Sequence, residues 1–304
     1  MQRFERQLSV PGGEVTAWRI DPDAPADRTP MLFVHGGPGG NCDGFAVFEQ
    51  LADERPVVMW DQLGSRRSTW SGTADELWTR DRFCAEVDAV RAAHDLDEVV
   101  LYGHSWGGWL SIDYLSRQPD GVAGAVLSST SASYSSFQAS IDRRIAELAA
   151  PMRDAVARQR AGGSLDDPDY HGAALEFYRR FVVRHVPGDA VAEQVLERQR
   201  SSEVFRHMQG ADELHADGAL ASWSRVADLP TIDTPALVTV GRFDHLDEHC
   251  AAEIADGLAN AELVLFEASS HCSHLEQPGD VVAAVRQFAA ALDERLLPPE
   301  HPAR

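Results

Sequence analysis

Short apolar, β-branched runs recur along the chain, each ending in a polar, turn-rich cluster. Residues 31–34 run into HGGPGG, 57–60 into DQLG and 99–102 into GHSWGG; 123–127, 236–240 and 263–266 lead into SST, GRFD and EASSH. Continuous apolar runs of this length, bounded by turns, predict strands buried on both faces. Amphipathic stretches of helical length lie between them, at 77–94, 106–117 and 281–292. In the last, Val281, Val282, Val285, Phe288 and Leu292 recur at helical spacing. Alternation of the two patterns predicts an α/β fold, a mostly parallel sheet with helices on both faces.

The pattern changes between residues 131 and 223, where no strong strand run occurs and helical stretches at 141–160, 173–185 and 190–200 dominate. Gly162-Gly163, the Asp166-Asp167-Pro168-Asp169 cluster and Pro187-Gly188 divide this region into separate helices. The expected organisation is a core of residues 1–130 and 224–304 with a helical cap, 131–223, inserted in it. A cap over the C-terminal strand ends covers the crevice where open α/β sheets bind ligands.

Composition narrows the function classes. With 44% hydrophobic and 25% charged residues over 304 positions, the chain has ordinary globular composition. Neither an apolar run of membrane-spanning length nor the apolar core of a secretory leader is present, so a soluble, cytoplasmic protein with no membrane partner is expected. A formal charge of -21 repels polyanions, which argues against nucleic acid as a partner. All 27 basic residues are arginine, which removes Schiff-base lysine chemistry and the lysine of a phosphate-cradling loop. Cys42, Cys84, Cys250 and Cys272 are scattered without a CxxC pair, as expected of free thiols.

Gly103-His104-Ser105-Trp106-Gly107-Gly108 places G-x-S-x-G between a predicted strand and a predicted helix. Such a turn is sharp, and its small flanking residues let a strained serine push its hydroxyl clear of the sheet. A serine hydroxyl needs a base, so a histidine oriented by an acid should follow downstream in the order Ser, Asp, His. Asp244 and His271 follow directly on adjacent strands; Asp247 and His274 are the alternatives, farther into loops. Convergent backbone N–H donors for an oxyanion are expected from Gly37, in HGGPGG, and from Trp106. The Trp106 side chain is expected to point towards the site, while most other aromatics serve the core.

HGGPGG, DQLGSRRS, GHSWGG, GRFD and SHCSHLEQP, in that order and spacing, resemble the proline iminopeptidase family, serine peptidases of the α/β-hydrolase fold that include the tricorn-interacting aminopeptidases. The resemblance spans nearly the whole chain, and FRHMQGADE at 205–213 looks like a family stretch whose glutamate binds the substrate's free α-ammonium group. It implies an aminopeptidase acting through an acyl-enzyme on a short peptide or amino-acid amide with a free, prolyl N-terminus, with no cofactor. Glu213, His245 and Gly36 are the implied substrate-facing residues. His245 stands where related aminopeptidases often carry a second acid; a neutral imidazole supplies no fixed negative charge, which leaves Asp212 and Asp247 open as substitutes. Arg66 stands where the family commonly has glycine and is expected to reshape its turn.

Two other readings compete. An amidase or esterase acting on a small acyl compound in specialised metabolism would use the same residues without amine recognition. His245-Leu246-Asp247-Glu248-His249 matches H-x-x-E-H, a zinc pattern when helical. It overlaps the loop that supplies Asp244, so no metal is expected and His249 is read as a helix-surface residue.

Overall fold

The structure, a computed structural model, describes residues 1–24, 27–184 and 189–296. Nine strands form one sheet among the described residues: β1 (Gln2–Val10), β2 (Gly13–Asp21), β3 (Met31–Val34), β4 (Val57–Trp60), β5 (Thr69–Trp70), β6 (Val99–His104), β7 (Val122–Ser128), β8 (Ala236–Gly241) and β9 (Ala261–Phe266). Their order is β1-β2-β4-β3-β6-β7-β8-β9, with β5 pairing β2. From β4 to β9 every neighbour is parallel, so these strands end at one edge. The first two strands form an antiparallel hairpin joined antiparallel to β4. Pattern reading passed over this hairpin because β1 is an exposed edge strand whose polar face hides its alternation.

Alternate strand residues feed two cores, as the period of two requires. Leu32, Val34, Leu101 and Leu127 pack on one face with α2 (Arg80–Ala93) and α3 (Trp106–Leu115). Met31, Phe33, Val100 and Tyr102 pack on the other with the 3-10 segment Cys42–Asp53 and the final helix α11 (Pro278–Leu296).

Helix boundaries follow local caps. The expected helix at 77–94 is a single turn, α1 (Ala74–Leu77), followed by α2, because the Thr79 hydroxyl accepts from Arg82 N–H and starts a new helix. The stretch at 141–160 splits into α4 (Tyr134–Ala146) and α5 (Ala150–Arg160), with Pro151 in the first turn of the second. Next come α6 (Pro168–Phe181), α7 (Asp189–Ser201) and α8 (Glu203–Met208), all between β7 and β8. The expected end of α6 at His185 lies outside the described residues. α9 (Glu248–Gly257) follows β8, and α10 (Ser273–Glu276) follows β9. No described helix is long and apolar enough to cross a membrane.

Candidate active site

Ser105 sits at the end of β6 with φ 58° and ψ -122°, outside the wells that L-residues favour, and caps α3. A conformation of this kind costs on the order of 1–3 kcal/mol and persists only where its surroundings fix it. They do so here: Ser105 N–H donates to Ser128 C=O at 3.0 Å, and Thr130 Oγ1 donates to Ser105 C=O at 2.9 Å. The flanking glycines are steric necessities. A Cβ on Gly103 would lie 2.4 Å from Gly107 O, and one on Gly107 would lie 2.0 Å from Val34 O.

Ser105 lines a cavity of about 470 Å³ together with Gly36, Gly37, His104, Glu213 and His271. Gly37 has φ +126°, and a Cβ there would overlap Gly39 and Gly40, so only glycine makes this turn without strain. A Cβ on Gly36 would press on that of Ser105 at 3.0 Å. Trp106 is the first residue of α3, so its amide is one of the four that a helix leaves without an internal acceptor. Its indole donates to Gln62 Oε1 at 3.0 Å and packs on Phe83, and the residue also borders a smaller recess beside Ser105. The indole N–H is thus engaged by Gln62 rather than offered to a substrate.

His271 follows β9, and its Nδ1 lies 2.9 Å from Asp244 Oδ1, which follows β8. With Nδ1 engaged, Nε2 is the ring nitrogen left for the cavity. Asp244 is held by the Leu246 N–H at 2.8 Å. Its loop is pinned from the insertion: Arg144 of α4 donates to the carbonyls of Asp244 and Arg242, and Ser140 donates to that of His245. The carbonyl of Phe181, ending α6, accepts from both His245 N–H and His271 N–H. Burial pushes the His271 imidazole down to about 3, with His274 adding to the effect, and pushes the Asp244 carboxyl up to about 6.

Glu213 is buried in the wall shared by cavity and recess, where it accepts from Gln199 Nε2 at 2.9 Å. Burial raises its carboxyl to about 8, against the lowering effect of Gln199. His245 lies between it and the acid–imidazole pair: Nε2 is 3.9 Å from Glu213 Oε2, and Nδ1 is 3.4 Å from Asp244 Oδ1. Burial and the neighbouring His271 push His245 down to about 3. Asp244, His245 and His271 offer donor atoms within 4.8 Å of one another, a spacing that the Asp244–His271 hydrogen bond already uses.

Comparison with known proteins fits this geometry. Residues 29–278 match the family model for the alpha/beta hydrolase fold. The chain is 34% identical to a proline iminopeptidase of Levilactobacillus brevis, over 92% of this chain and 94% of that one. A second proline iminopeptidase, from Heyndrickxia coagulans, is 30% identical over 92% of this chain and 96% of its own. The crystal structure of a proline iminopeptidase from Mycobacterium smegmatis superposes with a TM-score of 0.88 and 31% identity, covering 97% of this chain and all of that one. The chain belongs to the proline iminopeptidase family of α/β hydrolases. It is a hydrolase enzyme.

Within this family member several residues held in reserve take other duties. Asp247 caps α9 and is clamped by Arg143 at 2.6 and 2.9 Å, so it is tied up as a structural acid. His274 is buried against Phe45, Phe48 and His104. Asp212 is saturated by Tyr170, Arg200 and two backbone amides, which leaves it no capacity for a substrate ammonium. His249 is exposed on α9 while His245 is buried, so the two imidazoles of H-x-x-E-H do not converge. Burial pushes the Cys272 thiol up, the reverse of what an activated nucleophile needs.

Other contributors went unread in the sequence. Gln62 donates its side-chain amide to His35 C=O and accepts from the Trp106 indole, so it ties the HGGPGG loop to the serine turn. Gln199, on α7, orients Glu213. Gln62 had a signal in DQLG at a strand end; Gln199, on a surface-patterned helix, had none.

Acid sensitivity follows from the burial. His35, His94, His104, His245, His271 and His274 are all pushed below the ordinary value, desolvation first in each. Below about pH 6.5 the unfolded chain takes up protons that the folded chain refuses, so stability falls as pH falls. The raised carboxyls of Asp244 and Glu213 work the other way, losing stability as pH rises towards their folded values, but the histidines outnumber them. The urea midpoint is expected to be highest near neutrality and to drop steeply by about pH 5. An unchanged midpoint over that interval contradicts this balance.

Proposed function

We propose that this chain is a serine aminopeptidase that removes the N-terminal residue, prolyl foremost, from a short peptide or amino-acid amide. The observation that carries the reading is Glu213, a buried carboxylate in the same cavity as Ser105 and His271. An exopeptidase must tell a free N-terminus from an internal amide, and a covered carboxylate does so through a charge-assisted hydrogen bond. The names of the relatives support it.

In this reading Ser105 Oγ attacks the acyl carbon as His271 Nε2 takes its proton, and Asp244 holds the imidazole and stabilises its cation. The N–H groups of Gly37 and Trp106 receive the oxyanion. His271 then protonates the leaving amine, and water repeats the sequence on the acyl-enzyme. Glu213 anchors the ammonium, and His245 and Gly36 border the substrate, which lies in the cavity of about 470 Å³ beside Ser105. Residues 131–223 serve as the cap, since they supply Glu213 and pin the Asp244 loop. Four cysteines without disulfides support a cytoplasmic setting.

Glu213 ties activity to pH. Burial raises its carboxyl to about 8 in the free enzyme, so its ionised fraction grows as pH rises through that value. The kcat/KM for a substrate bearing an α-ammonium group therefore climbs with that midpoint, then falls as the substrate amine loses its own proton. Glu213→Gln removes the climb and at pH ~8.5 raises KM roughly tenfold to a hundredfold, while at pH ~6 it changes little. A wild-type profile that is flat from neutrality upwards, or an unchanged KM in the variant, removes Glu213 from amine recognition. If prolyl and other aminoacyl arylamides are untouched while simple esters turn over, the esterase reading replaces the aminopeptidase one.

A further inference from the structure

The cavity that holds Ser105 carries two cations that the reaction above does not use. Arg66 and Arg198 both line it, and both are exposed. They come from different parts of the fold, Arg66 from the loop after β4 and Arg198 from α7. Neither is held by a carboxylate among the described residues. That is notable in a chain with 48 acidic residues to 27 arginines. Their neighbours show the contrast: Arg67 is bound to Asp61 at 2.7 Å and Asp43 at 2.6 Å, and Arg200 to Asp212 at 2.6 Å.

The loop has no conformational need of Arg66. Its positive φ falls on Gly64, at +87°, while Ser65 closes onto Gln62 and Ser68 onto Ser65, so the side chain at 66 reaches the cavity from an unstrained turn. The expected reshaping of the turn is not needed. Arg198 acts electrostatically on His35 and Cys272, which also line the cavity, so its field falls across this space. Asp43, an exposed acid on the same lining, is already neutralised by Arg67.

Position decides which half of a substrate these cations meet. Glu213, the anchor for the free amine in the reading above, stands where the cavity meets the small recess beside Trp109 and Phe137. Neither Arg66 nor Arg198 borders that recess, so the two cations meet the part of the substrate farther from the amine. We infer that Arg66 and Arg198 form a carboxylate-binding subsite on the leaving side of the scissile bond, which selects dipeptides and other very short substrates with a free C-terminus. Guanidinium forks match a carboxylate's two oxygens. An ammonium site at one end and a carboxylate site at the other measure the length of a zwitterionic peptide. The inference rests on the reading of the acyl side given above.

The test compares paired substrates that differ only in this group: a prolyl dipeptide and its C-terminal amide. The readout is the ratio of their kcat/KM values in wild type, Arg66→Gln, Arg198→Gln and the double variant. The wild-type ratio should favour the free acid by about tenfold, shrink as salt rises, and fall to about one in the double variant, with the loss located in KM. A wild-type ratio of one, or a ratio unchanged by the double substitution, overturns the subsite. A second pair, the acetate esters of 4-hydroxybenzoate and of 4-hydroxybenzamide, keeps this outcome separate from that of the aminopeptidase reading. Should no aminoacyl substrate turn over, a preference for the carboxylate ester that the double variant abolishes still upholds the subsite, and an absent preference overturns it.

Discussion

Replacing Ser105 by alanine is expected to lower kcat for a prolyl arylamide by roughly 10⁵- to 10⁶-fold, leaving only what the oxyanion donors and binding supply. No other hydroxyl stands in for it, because the exposure of Oγ depends on the turn at φ 58° that pushes this one side chain off the sheet. Stability should hardly change. Alanine still carries a Cβ in a conformation that costs on the order of 1–3 kcal/mol, so the strain remains and the fold is kept. The variant should therefore bind substrate without turning it over, with Tm close to that of wild type. A residual kcat within a hundredfold of wild type would assign the chemistry to another group.

Asp244→Asn is expected to cost about 10⁴-fold in kcat with little change in KM. The loop is pinned through the backbone carbonyl that Arg144 holds, so its backbone geometry survives. Asp244 Oδ1 meets both His271 Nδ1 and Leu246 N–H. An amide nitrogen in its place gives up the Leu246 bond, presents N–H to His271 Nδ1, forces the ring proton onto Nε2 and leaves no lone pair to take a proton from Ser105. An amide oxygen there keeps both bonds but carries no charge to stabilise the imidazolium. Asp247→Asn is the matched control. It loosens the Arg143 clamp at α9 and lowers Tm, but leaves kcat within a few-fold, since Asp247 faces Arg143 and not His271.

What the sequence made legible was whatever local pattern decides. The strands β3 and β4 lie where their apolar runs do, and the turns after β3, β6, β8 and β9 carry the residues read from HGGPGG, GHSWGG, GRFD and EASSH. What stayed hidden depends on contacts distant in sequence. The Phe181 carbonyl that binds the His245 and His271 amides leaves no trace in composition. Asp212 and Asp247 looked as free as Glu213 in the sequence; only packing against Arg200 and Arg143 separates structural acids from the one facing the cavity. In the sequence Arg66 looks like a disturbance of its turn, because nothing local shows the cavity beside it. The edge hairpin escaped for the opposite reason: its alternation is local, but on β1 it is carried by a largely exposed face.

The account depends most on Ser105 being a nucleophile activated by His271, and active-site labelling reads this directly. Incubation with a fluorophosphonate, followed by intact-mass and peptide mapping, should give one label per chain, on Ser105. Ser105→Ala should give none, and labelling of His271→Ala should be slowed by orders of magnitude. Labelling at full rate in the His271 variant, or a label carried by any residue other than Ser105, would contradict the account.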